Sequence, residues 1–176
     1  MPRTLLQATG FLLGFWIALL LSPLTIELAR AADGNASPFA DLEASLLAEV
    51  NAVRAQHHLI PLRRSPELDA VARRHSDDMA RRGYLSHHTP EGTDPVDRIF
   101  GGGIAGFTLA AENLGMTNRP DPNREIVEGW LRSPDHRRNL LSPPFNTTGI
   151  GIARSSDGSL IYTQLYVTFP KAAAAP

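Results

Sequence analysis

The stretch Thr147–Phe169, TTGIGIARSSDGSLIYTQLYVTF, restricts the fold more than any other. It holds two alternating runs around SSDG, a turn signal, and so predicts an antiparallel hairpin. In the first run Ile150 and Ile152 alternate with small residues. In the second, Leu160, Tyr162, Gln164, Tyr166 and Thr168 form one row, and Ile161, Thr163, Leu165, Val167 and Phe169 form the other. Such a sheet needs cover, and the preceding residues supply helices. FADLEASLLAEVNAVRAQHH places Leu42, Leu46, Leu47, Val50 and Val53 at helical spacing. SPELDAVARRHSDDMARRG opens with Ser65 as N-cap and Pro66 at the first helical position, and it stops at Gly83. Leu68, Val71, Ala72, His75 and Met79 line one face of that helix. DPNREIVEGWLRSP predicts a third helix, capped by Asp121 or Asn123 and ended at Ser133–Pro134. VDRIFGGG reads as a short helical turn ended by glycines, and FTLAAENLGM as strand-like ends around a polar centre. Helices first and strands later predict an α+β layered domain.

The 176-residue length fits one domain with appendages. Residues 1–31 read as a secretory signal peptide: Arg3, an apolar run from about Phe11 to Leu24, then Ala29-Arg30-Ala31 as cleavage site. Pro23 and Glu27 interrupt the run, which falls short of the ~20 residues of a membrane-spanning helix, so no stable span is expected after removal of the signal. Residues 32–42 read as a linker and the start of the first helix, 43–170 as the domain, and 171–176 as a tail. Without residues 1–31 the chain has 15 basic and 17 acidic residues, a net charge of −2. That gives no positive field to collect phosphates, and nucleic acid is not an expected partner. The chain is expected to be exported, yet it has no cysteine, so its stability rests on an ordinary hydrophobic core.

Chemistry concentrates in the six histidines and one glutamate. His57 and His58 end the first helix, where imidazole suits the negative end of the dipole. His75 lies on an apolar helix face and reads as a core residue with a polar partner. His87, His88 and His136 lie in loops beside Gly and Pro, where a scaffold displays functional groups. Glu112 sits between apolar residues on an expected strand, where a carboxylate is costly unless paired or ligating. Imidazoles with carboxylates or water form an ordinary divalent-metal set, but no His-Glu-x-x-His or cysteine pair is present. There is no Gly-x-Ser-x-Gly elbow, and GGGIAG at 101–106 lacks the Lys-Ser/Thr of a phosphate loop. It reads as a surface loop.

Taken together and in order, LLAEVNAVRAQHHLIPLRRSPELDAVARRHSDDMARRGYLSHHTPEGTDPVDRI, AENLG, IVEGWLRSPDHRRNLLSPPFNTTGIGIA and YTQLYVTF resemble a bacterial CAP domain. That superfamily includes cysteine-rich secretory proteins, antigen 5 and pathogenesis-related 1 proteins, and the short cysteine-free bacterial branch is the most similar. The resemblance spans about residues 43–169. It implies a three-layer α-β-α sandwich with a central, mainly antiparallel sheet. It also implies a cleft with two histidines and two acidic residues, able to bind zinc or another divalent cation. Carried over, the family's Ser-His falls on His87, with Pro90 and Gly92 fixing that choice over His88. Its Glu-Asn glutamate falls on Glu112 and its second histidine on His136. The fourth position, acidic in many eukaryotic members, is Ser133 here, and Glu128 lies two residues before Trp130.

The resulting cleft is His87, Glu112, His136 and Ser133, with Glu128 as the other possibility, and His87 and His136 are the expected metal ligands. Trp130, Leu140 and Phe145 read as packing residues. Three functions follow. The first is a secreted, periplasmic or extracellular protein that binds a lipid, glycan or cell-wall component in a zinc-capable cleft. The second is a metal-assisted peptidase with Glu112 as general base. The third is an interaction domain without catalysis.

Overall fold

The computed structural model describes residues 37–170. The signal segment 1–31 with its cleavage site, most of the linker and the 171–176 tail lie outside the described residues. Within them the order is α1 (Ala40–Gln56), β1 (Arg63–Arg64), α2 (Pro66–Arg82), α3 (Pro95–Gly101), β2 (Leu109–Thr117), α4 (Pro122–Arg132), α5 (Pro134–Leu140), β3 (Thr147–Arg154) and β4 (Leu160–Thr168). The four strands form one sheet in the order β1-β3-β4-β2. β3–β4 and β4–β2 are antiparallel, and the two-residue β1 adds in parallel to β3.

The alternation of the hairpin builds the three layers. Leu160, Tyr162 and Tyr166 join Ile150 and Ile152 in one core. There they meet Leu46 and Val50 of α1, Ile126, Val127 and Trp130 of α4, and Leu140 of α5. The other β4 row faces α2 and α3: Leu165 and Val167 pack with Leu68, Val71, Ala72 and Ile99, and Ile161 with Met79. The sheet therefore lies between α1/α4/α5 and α2/α3, an α-β-α sandwich with both faces buried.

The small residues between the β3 isoleucines admit α2. A Cβ on Gly149 would overlap the Leu68 backbone, and one on Gly151 would overlap Ala72 and Arg73. Ser76 seals this contact, its Oγ 2.9 Å from Gly151 O and 2.8 Å from Thr163 Oγ1.

The helix signals act largely as read. Ser65 Oγ accepts from Leu68 N, and Gly83 ends α2 at φ 71°, where a left-handed residue is cheapest as glycine. Asp121 occupies the N-cap position of α4, but its side chain makes no cap hydrogen bond. Asn123 does not cap either. It is buried, donating to Leu42 O and accepting from Tyr162 OH. The stretch read as strand ends around a polar centre is one continuous nine-residue strand, β2. Its centre stays in the ladder because Glu112 and Asn113 find side-chain partners on both sides of the sheet.

Candidate functional site

The site is built around β2, which is an edge of the sheet. Successive side chains of a strand point to opposite faces. Glu112 therefore faces the α2/α3 layer, and Asn113 the α4/α5 layer. Each holds one of two histidines by a different device. His87 lies in a loop as expected. His136, read from the sequence as a loop residue, is in the first turn of α5, because Pro134 starts a helix directly after Ser133.

Glu112 is held from two sides. Its Oε1 is 2.8 Å from His87 Nδ1, and its Oε2 is 2.6 Å from Arg98 Nη2. The carboxylate is 1% exposed, Arg98 10% and His87 46%. Arg98 also donates to His87 O and Thr93 O through Nη1. It thus braces both the backbone of the histidine and the carboxylate that orients its ring. With Nδ1 engaged by the carboxylate, Nε2 is the His87 ring nitrogen left for another partner.

On the other face, Asn113 Nδ2 donates to His136 O at 3.0 Å. Asn139 Nδ2, one turn along α5, reaches Asn113 Oδ1 at 3.0 Å and Glu112 O at 3.2 Å. Trp130 Nε1 donates to Leu114 O at 2.7 Å. These bonds pin α4 and α5 to β2 and fix the backbone of His136. The His136 ring has no hydrogen-bond partner among the described residues. Its pKa lies below the ordinary histidine value, first because of burial and then because His87 is close enough for its charge to weigh; Asp135 opposes both.

The structure thus joins His87 to Glu112 directly and sets His136 within electrostatic range of His87. Ser133 lies at the α4–α5 junction, three residues before His136, and its side chain makes no cap hydrogen bond. Glu128 is exposed and pairs with Arg132 at 3.5 Å, with no contact to either imidazole. His88 is exposed, its amide accepted by Ser86 Oγ. His57 and His58 are exposed beyond the end of α1. Trp130, Leu140 and Phe145 are core residues. Arg98, Asn113 and Asn139 belong to the site but were not singled out from the sequence. Asn113 adjoins Glu112 in the motif already quoted and was open to notice.

The chemical capacity follows from what is left free. Both oxygens of Glu112 are engaged, one by His87 and one by a guanidinium, so the carboxylate is placed to orient the His87 ring. Two imidazoles remain. Among the described residues no three His, Cys, Asp or Glu side chains gather as a metal-binding group.

Comparison with known proteins agrees with this architecture. The chain is 30% identical over 146 residues to YkwD, an uncharacterised protein of Bacillus subtilis, covering 83% of this chain and 54% of YkwD. It thus spans about half the length of that relative. An outer surface protein of Borrelia burgdorferi superposes with TM-score 0.69 at 22% identity, covering 76% of this chain and 97% of that one. An extracellular protein of Bacillus anthracis containing an SCP domain gives TM-score 0.63 at 30% identity, covering 84% and 44%. The family model for the cysteine-rich secretory protein family matches residues 47–166, from within α1 to within β4 and across every element of the site. The sandwich, the cysteine-free core and that match together make this chain a member of the CAP, or cysteine-rich secretory protein, family.

Proposed function

We propose that this CAP domain is an exported binding protein whose His87–His136 cleft takes a divalent cation together with an oxygen-bearing ligand of the cell surface or envelope. One observation carries the reading: the 2.8 Å contact of His87 Nδ1 with Glu112, itself clamped by Arg98. A carboxylate behind an imidazole fixes its tautomer, aims the far nitrogen and raises its basicity, as behind metal-bound histidines. Export is supported by the N-terminal signal pattern and by the extracellular and outer-surface descriptions of two structural relatives.

The donor set suits an open site. His87 and His136 supply two nitrogens, which is too few for a closed structural zinc site of four protein ligands. The remaining positions fall to water or to oxygen atoms of the ligand, and a bound cation would act there as a Lewis acid. Glu112 is a positioning residue in this scheme. The binding reading ranks above the peptidase because Glu112, the residue that would serve as its base, is turned to His87 and Arg98.

Zinc titration by calorimetry tests the proposal. The purified protein should bind zinc saturably, and His87→Ala and His136→Ala should each weaken binding at least tenfold, about 1.4 kcal/mol. Glu112→Gln should weaken it by roughly 10–100-fold, the usual cost of losing an outer-shell partner. Zinc affinity unchanged in both histidine variants would refute the pairing of the imidazoles.

A further inference from the structure

The ladder of β2 shows which of its backbone groups face outward. In an antiparallel pair, residues whose N–H and C=O both turn to the partner strand alternate with residues whose groups turn away. The carbonyls of Glu112 and Leu114 turn away from β4, since Asn139 and Trp130 reach them. Met116, opposite Ile161, continues that row. Its N–H and C=O therefore point off the sheet edge, and neither has a partner among the described residues. Met116 is also 53% exposed. The open part of this edge is short, because the next outward carbonyl, that of Leu114, is already taken.

A cavity of about 230 Å³ adjoins this open part. It is lined by Leu114, Gly115 and Met116 of β2, by Gly129 and Trp130 of α4, and by His136. Its volume is several times the ~30 Å³ share of one water molecule in the liquid. Gly115 faces α4, since a Cβ there would lie 2.6 Å from Ile126 Cδ1. On α4, a Cβ on Gly129 would meet only Arg132 Nη2, at 4.0 Å. Two missing side chains thus leave an apolar recess between strand and helix. Glu125, also on the lining, is matched by Arg132 at 3.9 Å. The His136 ring nitrogens have no hydrogen-bond partner, yet they are not among the buried unpartnered atoms, so they remain accessible.

We propose that this cavity binds the C-terminal end of an extended peptide whose penultimate residue is apolar. A donor and an acceptor side by side on a strand edge match the backbone of one peptide residue, which is how an added strand is held. One residue exchanges both bonds with Met116 only in antiparallel pairing. A peptide antiparallel to β2 runs from Met116 towards Leu114 and Glu112 as it nears its C-terminus. Its residue opposite Gly115 shares the face of Gly115 and enters the recess beside Gly129. The following residue stands opposite Leu114, where Trp130 holds the acceptor and strand pairing stops. The carboxylate then lies at the imidazole end and supplies the ligand oxygens. That last step alone rests on the cleft function proposed above.

The tripeptide N-acetyl-Ala-Leu-Ala with a free carboxylate is a suitable probe, titrated by calorimetry into the purified protein with and without zinc. It should bind saturably, and hydrogen exchange at the Met116 amide, read by NMR, should slow in the complex. N-acetyl-Ala-Gly-Ala, which leaves the recess empty, should bind at least tenfold more weakly. So should the leucine peptide to Gly129→Leu, which fills the recess and replaces a helical glycine with a better helix former. Met116→Pro removes the outward N–H at an edge position that tolerates proline, and it should weaken binding in the same way. Blocking the peptide carboxylate as an amide should abolish any gain in affinity that zinc confers. The proposal is overturned if the peptide does not bind saturably in either condition, or if binding survives Gly129→Leu. It is equally overturned if the Met116 amide gains no protection, or if octanoate, an apolar tail with a carboxylate and no peptide group, binds as tightly. Zinc binding without peptide binding would sink this inference alone, and peptide binding without zinc binding would sink the cation reading alone.

Discussion

Arg54 is fully buried at the end of α1 and has no acidic partner among the described residues to explain it. Its guanidinium instead donates to four carbonyls, those of Ile60, Leu140, Ser142 and Phe145. Only a planar fork with five N–H groups can serve so many acceptors at once. Arg54→Met keeps the bulk and strips every donor, so it should destabilise the fold by about 3 kcal/mol or more, in line with the cost of buried unsatisfied groups. Arg54→Lys should recover only part of that loss. Urea denaturation of the three proteins would show the order. Arg98 is the corresponding residue in the site, ordering the loop of His87 where Arg54 orders the loop after α5. Neither role was legible from the sequence. An arginine in a helical stretch reads as a solvated charge, and the carbonyls it meets have no letter of their own.

At the scale of elements, the buried stripe of α1 is Glu43, Leu46, Val50 and Arg54, apolar at its centre and charged at both ends. Glu43 is completely buried, and Arg64 of β1 and Arg73 of α2 neutralise it. Arg64 also holds Asp69 at 2.7 Å, and Asp69 accepts from the backbone amide of Ile150 at 2.8 Å. Four elements are thereby locked through one chain of charges. Glu43→Gln should cost about 3 kcal/mol, because breaking a buried pair leaves a charge uncompensated. A second prediction concerns the close approach of α2 to β3. Gly151→Ala adds one methyl group yet should cost about 1–3 kcal/mol, the penalty of overpacking. Chemical denaturation midpoints would check both.

These elements also show what could be read in advance. The hairpin was legible because a period of two repeats over every residue, and α2 because Ser65, Pro66 and Gly83 are local signals. His87, Glu112 and His136 were legible through ordered motifs spanning the domain. The network of Glu43, Arg64, Asp69 and Arg73 was not. Its members are separated by up to 30 residues, and only the fold shows that they converge. The fourth cleft position stayed open for a related reason: Glu128 and Ser133 differ in where one helix turn points them, which is settled by packing.

For the molecule as a whole, acidity should act through buried imidazole. The His75 pKa is lowered chiefly by burial and also by Arg98, against the opposing pull of Glu112, the Ser86 carbonyl and Asp78. Tyr84 packs against the ring edge-on. His136 is shifted the same way, first by burial. A histidine depressed in the folded state takes up its proton first in the unfolded chain. Stability should therefore be full above the unfolded value of about 6.5 and fall as pH drops from there towards the folded values. Urea midpoints at about pH 7.5 and about pH 5.5 should differ in that direction, flanking the ordinary histidine pKa. His75→Phe should flatten the dependence, and an unchanged slope would place the sensitivity elsewhere. A different consequence follows from the position of β2 at the sheet margin. An open margin is a template on which another chain can add a strand, the first step towards aggregates. Here two outward carbonyls of that margin, Glu112 O and Leu114 O, are already taken by Asn139 and Trp130. The side chains that fasten α4 and α5 beside the imidazoles are thus also a guard against self-assembly. A change that loosens them would unmask a surface on which copies of the protein could polymerise.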